Sequence, residues 1–199
     1  MNSRFIMPVN EGLSKKTTLS EAVRDLIRPG MSINFAFAHS RSNAVAYEIV
    51  RQFRGKPANF TLIGAGFLEY GIVLVWAGLV RRLIGAFFGD TFPAPGPSPI
   101  LQQAFRENKV EFECWTNLTI SLGLMAGAMN VSCITTNSLA GSGMAREHNQ
   151  DIKNIADPFH EGKELTLIKA LQPDITIVHG LAEELVLLRQ LDPDRCFLT

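Results

Sequence analysis

The sequence predicts an α/β protein built on an open, mostly parallel sheet with helices on both faces. Three observations carry that prediction. Short strand-like runs alternate with single segments of helical period. Most loops between them are short. Most of the strand-like runs are continuously apolar, the pattern of strands buried on both faces, whereas half-solvated strands alternate.

The elements follow in order. Residues 1–16 are polar and irregular and read as a flexible leader. Thr18-Leu19-Ser20-Glu21 matches a capping box, in which the threonine hydroxyl and the glutamate carboxylate each satisfy an orphan backbone N–H. Leu19, Ala22, Val23, Leu26 and Ile27 continue at helical spacing until Arg28-Pro29-Gly30 ends the helix. Residues 31–38 read as a buried strand. From Ser42 the helical period returns through Ala46, Ile49, Val50 and Phe53, and Gly55 and Pro57 stop it. Residues 60–63 form a strand, Gly64-Ala65-Gly66 a turn, 67–77 a buried helix and 80–88 another strand.

Four prolines between Asp90 and Pro99 exclude regular structure there. Residues 100–108 read as a helix with Leu101, Ala104 and Phe105 inward. Residues 110–115 alternate Val110, Phe112 and Cys114 against Glu111 and Glu113, and 118–129 form an apolar helix. A polar, Gly/Ser-rich surface excursion is expected over 137–157. Two further strands, 165–168 and 175–178, are separated by Leu171-Gln172-Pro173-Asp174. Residues 181–191 read as an amphipathic helix.

Composition narrows the partners. Nineteen basic and 19 acidic side chains give no net charge, so there is no basic footprint for nucleic acid and no attraction to an anionic membrane surface. With 46% hydrophobic and 19% charged residues the chain holds a core, and the modest charge suits a surface that a partner covers. Cys114, Cys133 and Cys196 lack CxxC spacing and read as buried thiols in a reducing compartment. Residues 1–19 contain no apolar signal-like core, and the most apolar run, 70–80, is far short of the roughly 20 residues that span a bilayer. A cytoplasmic location is expected.

In open parallel sheets ligands bind at the carboxyl ends of strands, near a reversal in strand order. The loop Phe37-Ala38-His39-Ser40-Arg41-Ser42-Asn43 follows the first strand and precedes a helix. It sets an imidazole, hydroxyls and a guanidinium beside a helix N-terminus, which attracts anions or carbonyl oxygens. The alternative is that Ser42 or Asn43 caps the helix while His39 and Arg41 are solvated. Gly64 and Gly66 are half of a dinucleotide fingerprint, but residue 69 is Glu. They fit a tight turn or close backbone approach better than nicotinamide binding. Glu69 is either a buried carboxylate with a raised pKa or a solvated helix end. Asn137-Ser138-Leu139-Ala140-Gly141-Ser142-Gly143 is either a ligand cradle or a turn. His148 and His160 have no companions at metal-ligand spacing, and no GxSxG nucleophile motif is present. The residues form no self-contained catalytic set, as expected of a binding subunit or half of a shared active site.

The ordered segments resemble the A (alpha) subunit of family I CoA-transferases, nearest to the glutaconate CoA-transferase branch. Residues 18–31, Ser40-Arg41, residues 60–66, 77–82, 104–111 and 122–129, Asp157-Pro158-Phe159 and residues 170–179 carry it. The resemblance covers roughly residues 17–180, leaving a leader over 1–16 and a divergent tail over 181–199. It implies a Rossmann-like α/β sheet, pairing with a homologous B subunit as a heterodimer or heterotetramer, and ping-pong transfer of CoA between carboxylic acids. It puts the nucleophilic glutamate on the B subunit. It implies no permanently bound cofactor, since the acyl-CoA thioester and the carboxylic acid are substrates.

By the same resemblance His39 and Ser40 support catalysis, while Asn34, Arg41, Gly64 and Gly66 line the substrate site. Asn34, Phe37 and His39 stand where the family is glycine-rich, which narrows any approach of acyl-CoA to the backbone. Decarboxylation or hydrolysis of a CoA thioester on the same scaffold, or a purely structural subunit, are the alternatives. After His179 the family's acidic, Gly-Asn-containing turn is replaced by Gly180-Leu181-Ala182-Glu183-Glu184-Leu185.

Overall fold

A computed structural model describes residues 17–36, 42–91, 94–139, 141–147 and 150–179. The expected leader, the tail over 181–199, Phe37, His39, Ser40, Arg41, His148 and Cys196 lie outside the described residues.

Helix α1 (Leu19–Leu26) opens on the predicted capping box: Glu21 N–H donates to Thr18 Oγ1 at 3.3 Å and Thr18 N–H to Glu21 Oε2 at 3.1 Å. A turn through Gly30, whose φ of 84° suits glycine, leads into β1 (Ser32–Phe35). Then come α2 (Asn43–Phe53), β2 (Phe60–Phe67), α3 (Glu69–Trp76), β3 (Val80–Phe88), α4 (Pro99–Arg106), β4 (Glu111–Cys114) and α5 (Asn117–Ala128). The chain continues through β5 (Cys133–Thr136), α6 (Met144–Glu147), β6 (Ile152–Ala156), β7 (Glu164–Lys169) and β8 (Ile175–Ile177).

Five strands form the predicted parallel sheet, in the order β4-β3-β2-β1-β8. On one face α1 to α4 bury Val23, Val45, Ile49, Leu74 and Leu101 against Ile33, Phe35, Leu62 and Leu83. On the other face α5 and the second sheet close a smaller core of Ile63, Ile84, Trp115, Ile120 and Ile168.

That second sheet was not expected. It is antiparallel, in the order β5-β7-β6. The expected excursion over 137–157 therefore contains both α6 and β6. The polar composition of β6 hid it, since only Ile152 of its residues is buried. Residues 165–168 and 175–178 fall in different sheets rather than side by side.

A polar cluster ties the sheets together. Arg82 on β3 pairs with buried Glu113, whose other oxygen accepts from Trp115 Nε1 at 2.7 Å. Asp151, at the head of β6, lies 4.0 Å from Arg82 Nη2 and accepts from Lys169 Nζ at 2.9 Å.

Several burial expectations are corrected. Glu113 points inward and Cys114 outward, because Arg82 and Trp115 supply Glu113 with partners on the α5 side. Phe105 is 64% exposed: α4 buries only Leu101 and Ala104, leaving this ring edge-on to Phe112 at 5.6 Å. Cys133 and Cys114 are exposed rather than core thiols. The Cys114 thiol is nonetheless pushed up, first by partial burial of the sulfur and then by Glu147 and Glu113. It is protonated at neutral pH and a poor nucleophile.

Candidate functional site

In chain order β1 to β4 step across the sheet in one direction, and β8 then returns to the other side of β1. The reversal of strand order lies between β1 and β8, and the crevice outside their carboxyl ends is where such folds hold ligands. Asn34 sits at this point. It is buried, on the face opposite Ile33 and Phe35, and its Nδ2 lies 3.4 Å from Thr176 Oγ1 on β8. That contact is long, so the amide is only weakly engaged. One residue past β1, Ala36 N–H donates to Ile177 O at 3.0 Å, and the loop over 37–41 leaves from there.

The loop returns at the N-terminus of α2. Ser42 holds the N-cap position but makes no side-chain cap bond. It is 4% exposed, and its Oγ, like Oδ1 of Asn43, is buried with no hydrogen-bond partner among the described residues. The first turn of α2 carries no acidic residue, so its partial positive charge is uncompensated locally. The simple capping role open to Ser42 in the sequence is thus not realised. The Ser-Arg-Ser spacing before an apolar helix was the only sequence signal for it.

The glycines expected to form a turn lie inside β2 instead. Gly64 pairs with Gly85 on β3, and Gly66 with Phe87. Their small size serves an aromatic ring. A Cβ on Gly85 would stand 2.7 Å from Phe67 Cε2, and one on Gly71 would stand 2.7 Å from Phe67 Cδ1. A Cβ on Gly64 would lie 3.3 Å from the Phe35 carbonyl and 3.5 Å from the Tyr70 hydroxyl. Phe67 is fully buried, stacks on Phe88 at 5.7 Å and leans on Tyr70 at 6.2 Å. Tyr70 stacks on Phe35 at 4.8 Å and donates its hydroxyl to the Gly66 carbonyl. The sheet's carboxyl end therefore rests on a rigid aromatic floor, with Gly64 and Gly66 shaping it from within.

The proline-rich segment after β3 closes on itself beside this floor, through mutual bonds of Asp90 and Gly96 at 2.8 and 2.9 Å. Glu69 is exposed at the first turn of α3. Of the residues expected at the site, Asn34, Gly64 and Gly66 meet at this end of the sheet. His39, Ser40 and Arg41 fall on the undescribed loop between β1 and α2. Ser138 and Leu139 form a turn after β5, where Thr136 Oγ1 accepts from the Ser138 amide at 3.1 Å. His160 pairs with Asp157 at 2.8 Å in the β6–β7 connection. Among the described residues no three His, Cys, Asp or Glu side chains are grouped to hold a metal, and no helix is long and apolar enough to cross a membrane.

Comparison with known proteins gives a consistent result. An uncharacterized protein of Archaeoglobus fulgidus is 31% identical over 172 residues, covering 85% of this chain and 37% of its own length. The structure is similar to that of glutaconate coenzyme A-transferase from Acidaminococcus fermentans, with a TM-score of 0.73 and 22% identity over 84% of this chain and 56% of that one. A variant of the decarboxylase AibA/AibB aligns with a TM-score of 0.71 and 24% identity, over 82% of this chain and 61% of that one. The chain thus spans less than two thirds of the length of each. The family model for coenzyme A transferase matches residues 16–185, and with the parallel sheet and its order it establishes that this chain belongs to the coenzyme A transferase family.

Proposed function

We infer that the chain is the A (alpha) subunit of a heteromeric CoA-transferase-like enzyme that moves CoA between carboxylic acids, with the nucleophilic glutamate on a homologous B subunit. One observation carries this reading: the buried Ser42 hydroxyl, without a hydrogen-bond partner among the described residues, at a helix N-terminus with no acidic residue in its first turn, beside the β1–β8 reversal. Such an end supplies N–H donors and positive potential to a carboxylate, a thioester oxygen or a phosphate. The rest of the floor is aromatic and glycine-backed, which suits binding rather than covalent chemistry.

In this reading Arg41 binds a substrate carboxylate or a CoA phosphate through its guanidinium fork. Ser40 and His39 contact the thioester or its developing oxyanion. The partner's glutamate attacks the acyl-CoA carbonyl and expels the CoA thiolate, leaving an acyl-glutamyl anhydride. The thiolate then attacks the glutamyl carbonyl, releasing the first acid as its carboxylate and forming a glutamyl-CoA thioester. The second acid reverses these two steps to leave as acyl-CoA. Borohydride added after acyl-CoA to the complex with its partner then traps a glutamate of that partner. Loss of trapping in Arg41→Ala assigns the arginine to the site, whereas full activity in both Arg41→Ala and His39→Ala leaves this chain a structural subunit.

A second reading is supported by Asn34. A buried amide stands where the resemblance expects glycine, and the fold is shared with a decarboxylase. A CoA-thioester decarboxylase or hydrolase with His39 as acid or base would release CO2 or free acid and give no trapped glutamate.

A further inference from the structure

A single side chain joins two strand ends beside the crevice. Tyr70, the second residue of α3, is 3% exposed. Its ring stacks on Phe35, the last residue of β1, with the two planes 27° apart. Its hydroxyl reaches back to the Gly66 carbonyl, at the close of β2. Ring and hydroxyl thus hold the ends of two strands that pair side by side. Packing alone does not call for this residue. A buried phenol O–H must find an acceptor, whereas phenylalanine fills nearly the same volume without that demand. The rings that Tyr70 touches, Phe35 and Phe67, are plain phenylalanines.

What leaves Phe35 is the loop that carries His39, Ser40 and Arg41. Between the stacked ring and that loop stands Ala36, whose amide donates to Ile177 O at 3.0 Å. The end of β1 is therefore fixed on one side by β8. On the other side it meets Gly64, where a Cβ would stand 3.3 Å from the Phe35 carbonyl and 3.5 Å from the Tyr70 hydroxyl. The Tyr70 ring supports it from the face that α1 to α4 cover. Contacts to a developing oxyanion tolerate little displacement, because the donors must stand roughly 2.7–3.1 Å from it. A long arginine side chain can follow a small shift of its backbone.

We propose that Tyr70 is a positioning residue for the reaction. Acting through Phe35, it sets the distance between the loop after β1 and the glycine end of β2, and so the placement of Ser40 and His39 on the thioester. This rests on the A-subunit reading and adds to it a residue outside the loop.

The complex with its partner is assayed on acyl-CoA for transfer, decarboxylation and hydrolysis, with wild type, Tyr70→Phe and Tyr70→Leu. Tyr70→Leu should lower kcat about tenfold to a hundredfold with KM little changed, the mark of an interaction made in the transition state. Tyr70→Phe keeps the ring and loses the bond to Gly66, and its kcat should fall between the two. Hydrogen exchange at the Ala36 amide reads the position of β1 without any chemistry, and it should be faster in Tyr70→Leu than in wild type. If Tyr70→Leu does not fold, Tyr70→Phe decides: a lowered kcat at unchanged KM supports the proposal, and a wild-type kcat overturns it. A purely structural role would lower the unfolding midpoint while leaving kcat per intact complex unchanged, and that result overturns the proposal. So does an Ala36 amide equally protected in every chain that folds. A wild-type complex inactive in all the assays overturns the A-subunit reading itself, and this inference with it.

Discussion

The two ends of the parallel sheet are furnished in opposite ways. At the amino end of β1 every polar group of one small cluster is engaged. Asp174 accepts from both the amide and the hydroxyl of Ser32 at 2.7 Å, and its own amide returns bonds to Ser32 O and Oγ at 3.0 Å. Where β3 and β4 begin, Arg82 gathers Glu113, Glu111 and Asp151 about it. At the carboxyl end the packing is aromatic, the glycines make room for Phe67, and Ser42 Oγ and Asn43 Oδ1 are buried without hydrogen-bond partners among the described residues. A buried polar atom left unbonded is costly. Arg82 Nε is also buried without a hydrogen bond among the described residues, but it lies 3.6 Å from Glu111 Oε1 within its cluster of carboxylates. The contrast between the ends is therefore one of charge pairing against unpaired neutral groups.

Substitutions test this contrast, beginning with the largest expected effect. Glu113→Ala removes the carboxylate that Arg82 and Trp115 share and leaves the guanidinium half-buried. Breaking a buried pair from one side costs about 3 kcal/mol or more, and here Glu111 and Asp151 keep the loss near that lower bound. Urea unfolding measures it, and a loss below 1 kcal/mol would mean the cluster does not join the two sheets.

Gly85→Ala comes next. Its methyl carbon would press on the Phe67 ring and stand 3.1 Å from Gly64 O, an overpacking worth about 1–3 kcal/mol. A neutral result would show that the aromatic floor yields, and that Gly64 and Gly85 serve a ligand rather than the ring.

Three of the N-caps, Thr18, Ser42 and Thr116, sharpen the comparison further. Thr18 and Thr116 each close a capping box, the latter accepting from the Thr119 amide at 3.0 Å. Thr18→Ala and Thr116→Ala are each expected to cost about 1 kcal/mol. Ser42→Ala should change stability by less than about 0.5 kcal/mol, because no cap bond is lost, while weakening the binding of an anionic substrate. Equal losses at all three positions would return Ser42 to a structural role.

The smallest effect is in the acid range. Hydrogen bonds from the Ser32 hydroxyl and then its amide hold Asp174 below its ordinary value, and the hydroxyls of Thr17 and Thr18 bring Glu21 from 4.5 to about 2. A carboxylate lowered on folding adds stability above its unfolded pKa, and that stability disappears as pH falls through the folded value. The gap between wild type and Asp174→Asn or Glu21→Gln should therefore close on acidification below pH 4.5 towards 2. A gap unchanged across that window would show that the carboxylates are not held in these bonds.

Much of the fold was legible because it rests on local signals. The capping box at Thr18, the helical stripe of 19–27, the apolar strands and the proline block after β3 all depend on residues near one another in the chain. The antiparallel sheet was missed because β6 is largely exposed and short of apolar residues. Only its pairing with β7, twelve residues away at Asn154–Thr166, makes it a strand. The site was legible as a place but not as a set of atoms. The loop over 37–43 pointed to the carboxyl end of β1, whereas the unengaged state of Ser42 depends on what surrounds it.

The sequence by itself determined the family, the order of helices and strands as far as α5 and the parallel character of the main sheet, since hydrophobic period and turn chemistry act over a few residues. Tertiary structure alone decided that Gly64 lies in a strand, that Glu113 turns inward while Cys114 turns outward, and that β8 returns beside β1 to create the crevice. Those outcomes are set by which side chains meet across the sheet: Phe67 against Gly71 and Gly85, Arg82 against Glu113, Asn34 against Thr176. The last of these contacts joins residues 142 positions apart, a separation at which no local pattern carries information.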